Sequence, residues 1–96
     1  MSEIRFEWDE QKHTRNKRKH GVSFHEAKTI FADEKGLLLD DPDQSRDEDR
    51  FILLGLSSGL SILVVSHTYR EDDAVIRIIS ARKATKSEQE QYWGRR

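Results

Sequence analysis

The segment SHTYRE (66–71) gathers a histidine, a tyrosine, an arginine and a glutamate where an apolar run ends. His67 suits proton transfer near neutral pH, and Glu71 can serve as a base or orient a histidine. Strand alternation places His67 with Tyr69 and opposite Thr68 and Arg70. A hairpin end carrying ordinary solvated residues is the structural alternative. The segment IRIISARKA (76–84) supplies cations. Arg77 interrupts an apolar strand, where a guanidinium requires a carboxylate, a phosphate or an open cleft. The local acids Glu71, Asp72 and Asp73 are its candidate structural partners. Arg82 and Lys83 follow; alternation sets Arg77 and Lys83 on one face and Arg82 on the other while the strand lasts. As hairpin partners, His67 and Arg77 are expected to be cross-strand neighbours or nearly so. One imidazole, one acid and two or three cations are the inventory for acting on a phosphodiester.

A second set lies upstream. His13, Asn16 and His20 share one helical stripe at i, i+3 and i+7, too far apart for the two histidines alone to hold one metal ion. The chain has no cysteine, no His-x3-His pair and no dense carboxylate cluster, so neither a metal nor another cofactor is expected. Lys17, Arg18 and Lys19 either decorate the negative end of a helix dipole or grip phosphates, with His20 beside them. Tyr92 and Trp93 read as core packing, with stacking on a base as the other use of Tyr92. No phosphate-loop, dinucleotide or nucleophile-elbow motif is present.

The charge pattern agrees. The net charge is −1, but it is unevenly spread. Residues 12–20 hold five Lys or Arg and no acid, and a second basic block runs over 77–96. An acidic block spans 40–49 between them. If the basic blocks meet in space, they form an anion-binding surface that the total conceals. The 96 residues suffice for one domain with a small core. The N-terminus MSEIRFEWDE is charged from residue 3, and no apolar run approaches a membrane span. A soluble, cytoplasmic protein is expected.

The elements that must position these residues follow from periodicity. IRFEW (4–8) alternates as a half-buried strand, with Asp9 as the N-cap of a polar helix that Gly21 ends. Ser23 and Glu26 form a capping-box pattern for a second helix running to about Asp33, with Phe24, Ala27, Ile30 and Phe31 on one face. GLLLDDPD reads as a short strand stopped by Pro42, followed by an acidic loop over 43–49. Two strands joined around Ser58-Gly59 and a third over AVIRIISAR follow, the last two with the continuous apolar character of central strands. A terminal helix starts near Thr85, with Thr85/Glu88 and Ser87/Glu90 as competing caps. The predicted class is α+β, in the order β-α-α-β-β-β-β-α, with a mostly antiparallel sheet, an N-terminal helix pair and a C-terminal helix.

Together FEWDEQKHTRNKRKHGVSFHEA, LLLDDPD and VVSHTYREDDAVIRIISARKATKSEQEQYW resemble the BrnT toxins of bacterial type II toxin–antitoxin systems, over about Phe6 to Tyr92. The W-D-E start, the K-H-G-V-S-F joint and the R-I-I-S-A-R-K-A-T run are the most specific parts. The resemblance implies a single RelE-like domain over 1–96. It further implies a metal-independent endoribonuclease that drives the ribose 2′-OH onto the adjacent phosphate and inhibits translation and growth. The implied partners are RNA and a BrnA-like antitoxin that binds DNA in an autorepressing complex. Carried onto this chain, the site comprises His67, Arg70, Glu71, Arg77 and Arg82, with Lys17, Lys19, His20 and Lys83 on the RNA. His67 or Glu71 takes the 2′-OH proton; Arg77 and Arg82 hold the phosphate; His67 or a lysine protonates the leaving oxygen. A non-catalytic module that uses the basic blocks to bind RNA or an acidic partner is the alternative.

Overall fold

A computed structural model describes residues 4–41 and 49–94. The elements are β1 (Arg5–Glu7), α1 (Glu10–His20), α2 (Phe24–Ala27) running into a 3-10 turn (Lys28–Ala32), β2 (Leu37–Asp40), β3 (Phe51–Leu56), β4 (Ile62–Arg70), β5 (Val75–Lys83) and α3 (Lys86–Gly94). The five strands make one mixed sheet in the order β1-β5-β4-β3-β2. Three pairings are antiparallel and β1 joins β5 in parallel. The expected α+β element order is present. The expected strand stop at Pro42, most of the acidic loop, and Arg95 and Arg96 lie outside the described residues.

The sheet separates two cores. On one face Val22, Phe24, Ala27 and Ile30 of the helical segment cover Leu53, Leu63, Val65, Ile76, Ile78 and Ala81. On the other, Tyr92 of α3 packs over Leu54, Ile62, Val64 and Ala84. The central strands β4 and β5 are therefore apolar on both sides over much of their length, as their runs of Val and Ile require. Gly55 allows the 3-10 turn to close on β3: a Cβ there would stand 2.9 Å from the Ile30 Cβ.

Local chemistry sets the helix ends. The Asp9 carboxylate accepts from the amides of Gln11 and Lys12, and Gly21 closes α1 at φ +72°. The Ser23 hydroxyl accepts from the Glu26 amide at 3.0 Å. Glu26 does not complete that capping box; its carboxylate accepts from the Ser57 hydroxyl at 2.6 Å and pins the β3–β4 turn. Thr85 and Glu88 form both halves of theirs, at 2.8 and 3.2 Å, so Ser87/Glu90 is not the cap. The second helix is shorter than expected: four α-helical residues give way to the tighter 3-10 geometry before Asp33.

Helix α1 has no apolar stripe, yet it docks. Its inward residues are His13, Asn16 and His20, with Asn16 buried and the rest of the helix exposed. His13 stacks on Phe24 at 5.1 Å between centroids and meets Trp8 edge-on. Asn16 donates to the carbonyls of Val22 and Ala81 and accepts from the Ala81 amide.

A bulge in β5 decides which side chains share a face. Ser66 lies opposite Ser80 and His67 opposite Ile78, so Ile79 is the extra residue. Parity flips there. Arg77, opposite Thr68, and Arg82, opposite Val64, both point to the α3 side, while Lys83, opposite Leu63, points to the other. This corrects the alternation expected from sequence, which separated Arg77 from Arg82.

Candidate active site

Arg77 is held by Glu7, not by Glu71, Asp72 or Asp73. Its Nη1 donates to Glu7 Oε2 at 2.9 Å, and Arg70 Nη1 donates to the same oxygen at 2.7 Å. The parallel β1–β5 pairing creates this contact by setting Glu7 beside Arg77, and Arg70 arrives from the end of β4. The two guanidinium groups hold the Glu7 carboxyl below the usual carboxylate range, the Arg77 hydrogen bond most of all. About a third of each of the Arg77 and Glu7 side chains is exposed, and half of Arg70. An open cleft of about 750 Å³ lies here, lined among the described residues by Asp49, Phe51, Thr68, Tyr69, Arg70, Asp73, Arg77 and Leu38.

His67 is not in that cleft. It is fully buried on the opposite face from Arg77, edge-on to Phe31 at 4.8 Å. Its register partner is Ile78, one residue from Arg77. The two are near neighbours along the sheet but back to back across it. Nδ1 lies 3.2 Å from the Val65 carbonyl, which can only accept, so Nδ1 carries the proton and Nε2 accepts. The Tyr69 hydroxyl, 3.3 Å from Nε2, is then the donor. Burial lowers the His67 pKa, opposed weakly by the Val65 carbonyl, and burial raises that of Tyr69 with help from Asp73. Tyr69 thus links a neutral, buried imidazole to the cleft wall.

The other expected site residues are dispersed. Glu71 ion-pairs with Arg5 at 2.6 Å on the exposed turn, away from His67. That turn carries three consecutive non-glycine residues at positive φ, Glu71, Asp72 and Asp73. Arg82 donates two hydrogen bonds to Glu88 of α3, at 2.8 and 2.9 Å. It borders a smaller hollow of about 270 Å³ on the same face as Arg77, with Arg50, Asp41, Ser66 and Ser80. Lys17, Lys19 and Lys83 are exposed and His20 half-buried. Because Asn16 clasps Ala81, the basic helix lies against β5, the strand bearing Arg77, Arg82 and Lys83. Among the described residues no group of three or more His, Asp and Glu is placed to hold a metal ion. No helix among them is long and apolar enough to cross a membrane.

The family model described as ribonuclease toxin, BrnT, of type II toxin–antitoxin system matches residues 8–88. The chain belongs to the BrnT family. A crystal structure of the Brucella abortus ribonuclease toxin BrnT is similar to it at a TM-score of 0.61 and 25% identity, covering 90% of this chain and all of that one. No curated protein matches the sequence. The BrnT match carries the identification as a toxin of the ribonuclease class; the chemistry must come from the residues.

Two of those residues carry most of the new information. Glu7 was legible only as a polar position between Phe6 and Trp8, and its partners are 63 and 70 residues away. Tyr69 was visible beside His67 but had no assigned task.

Proposed function

We propose that this BrnT-family chain is a single-domain, metal-independent endoribonuclease of RelE type. It cleaves RNA by attack of a ribose 2′-OH on the adjacent phosphate, and so inhibits translation and growth in the cytoplasm. The observation that carries the reading is the convergence of Arg70 and Arg77 on one carboxylate oxygen beside an open cleft. Two guanidinium groups that already share one oxyanion form a fork for a phosphate oxygen, and charge developing on that phosphate is stabilised by donors fixed beforehand. Each guanidinium has five N–H donors, so both can engage a phosphate while held by Glu7.

The remaining residues take graded parts. The leaving 5′ oxygen takes its proton from water in the open cleft, and His67, hydrogen-bonded to the Tyr69 hydroxyl, fixes that ring on the cleft wall. Arg82 and Lys83, with Lys17, Lys19 and His20 on the adjoining helix, hold flanking phosphates. Glu71 orders the β4–β5 turn through Arg5. A BrnA-like antitoxin that binds DNA and represses its own operon neutralises the toxin.

The test is inducible expression of the wild type and Arg77→Ala, followed by growth and RNA integrity, with the purified proteins assayed in EDTA. Wild type should arrest growth and cleave RNA. Arg77→Ala should lose about 100-fold or more in cleavage while remaining folded. Unchanged cleavage by Arg77→Ala would remove the cleft from the mechanism. RNA binding that weakens steeply with salt while the RNA stays intact would instead establish a binding module.

A further inference from the structure

The geometry points to Glu7 as the general base that removes the 2′-OH proton, an assignment that rests on the cleft reading above. A base for this reaction must lie within hydrogen-bond reach of the hydroxyl next to the scissile phosphate. It must therefore sit beside the groups that grip that phosphate. Among the described carboxylates, Glu7 satisfies this: it contacts both Arg70 and Arg77, at 2.7 and 2.9 Å. The alternatives are placed elsewhere. His67 is fully buried on the other face, Glu71 pairs with Arg5 on the exposed β4–β5 turn, and Glu88 lies on α3 beside Arg82, so none of them stands at the Arg70–Arg77 fork. Asp49 and Asp73 also line the cleft, Asp73 by Tyr69, but the carboxylate on which Arg70 and Arg77 close is that of Glu7.

The step balances without a co-reactant. The ionised Glu7 carboxylate takes the 2′-OH proton as the 2′ oxygen bonds to phosphorus. The bond from phosphorus to the 5′ oxygen breaks, and that oxygen takes a proton from water in the open cleft. The products are a 2′,3′-cyclic phosphate and a 5′-hydroxyl. Glu7 then returns its proton to the solvent, which replaces the one given to the leaving oxygen.

The arginines also tune the base. In the free protein they keep Glu7 ionised. When a phosphate enters, their donors are shared with it, the hold on the carboxylate loosens, and its basicity rises next to the hydroxyl. The base is activated by the substrate it acts on. The charged groups around Glu7 are Arg70 from β4 and Arg77 from β5, with Asp9 also acting on Arg77.

The decisive comparison is Glu7→Gln, Glu7→Asp and Arg70→Ala/Arg77→Ala against wild type. Cleavage is followed in a cell-free translation reaction, and affinity is measured for a fully 2′-O-methylated RNA. Glu7→Gln should lose about 100-fold or more in cleavage yet bind the methylated RNA at least as tightly as wild type. It should also lose the acidic limb of the pH–rate profile, and Glu7→Asp should recover part of the rate. A parallel loss of affinity in Glu7→Gln would make Glu7 a positioning residue only. Faster cleavage would make it a phosphate-mimicking inhibitor. Either result overturns the assignment. If the double arginine variant keeps wild-type cleavage, the cleft reading itself fails. If it loses binding while Glu7→Gln cleaves normally, only the base is misassigned.

Discussion

The Asn16 side chain pairs with both backbone groups of Ala81, accepting from the amide at 3.0 Å and donating to the carbonyl at 2.8 Å. β1 pairs with β5 only over Val75–Arg77, so β5 continues beyond it with an uncovered edge. A carboxamide carries the same donor and acceptor as a peptide group, and Asn16 completes that edge as a strand would. A second donation, to the Val22 carbonyl at 3.0 Å, ties the α1–α2 joint to the same point. The basic helix is anchored by hydrogen bonds where it lacks an apolar face.

Asn16→Ala strands a buried amide and two buried carbonyls. The expected cost is about 2–4 kcal/mol, read as a lower urea midpoint with an unchanged slope. Asn16→Asp keeps the acceptor for the Ala81 amide but opposes a carboxylate to two carbonyls, and is expected to be no better. Wild-type stability in either variant would show that the clasp is incidental.

His67 makes stability depend on pH near neutrality. Burial lowers its folded pKa below the ordinary 6.5. Below about 6.5 the unfolded chain takes up a proton that the folded chain refuses. The His67 contribution is therefore complete above that value and is lost as pH falls from it toward the folded pKa. The slope approaches about 1.4 kcal/mol per pH unit. Urea midpoints between pH 7.5 and 5.5 should fall in the wild type and change less in His67→Phe, which keeps the aromatic packing. Equal slopes would place the dependence elsewhere.

The Arg82–Glu88 pair acts in a more acid window. The Arg82 hydrogen bonds chiefly, helped by the Thr85 amide, draw the Glu88 pKa from 4.5 to about 2. A carboxylate depressed in this way stabilises fully above its unfolded value, and the benefit disappears as pH falls toward about 2. With 39% of the Arg82 side chain exposed, solvent screening reduces the effect to about 1 kcal/mol. The stability difference between wild type and Glu88→Gln should therefore be present at pH 6 and nearly gone at pH 2.5. A difference independent of pH would assign it to packing.

Sequence alone determined what is encoded locally. The caps at Asp9, Ser23 and Thr85, the glycine stop at Gly21, the apolar face of Phe24, Ala27 and Ile30, and the central character of β4 and β5 all follow from periods and turn chemistry a few residues long. The BrnT resemblance was legible for the same reason, since its motifs are contiguous. What sequence could not determine depends on contacts between distant segments. The β5 bulge at Ile79 adds one residue, flips every later side chain, and brings Arg82 to the face of Arg77 where simple alternation had parted them. The parallel docking of β1 delivers Glu7 to Arg77 across 70 residues, a pairing no local spacing encodes. His67, read as a reactive group at a strand end, lies inside an aromatic core because α2 and its 3-10 turn bring Phe31 over it. Helical and strand periods fix which residues share a face within one element. Register and packing between elements decide which faces meet, and it was that choice that brought Glu7 to Arg70 and Arg77 at the cleft.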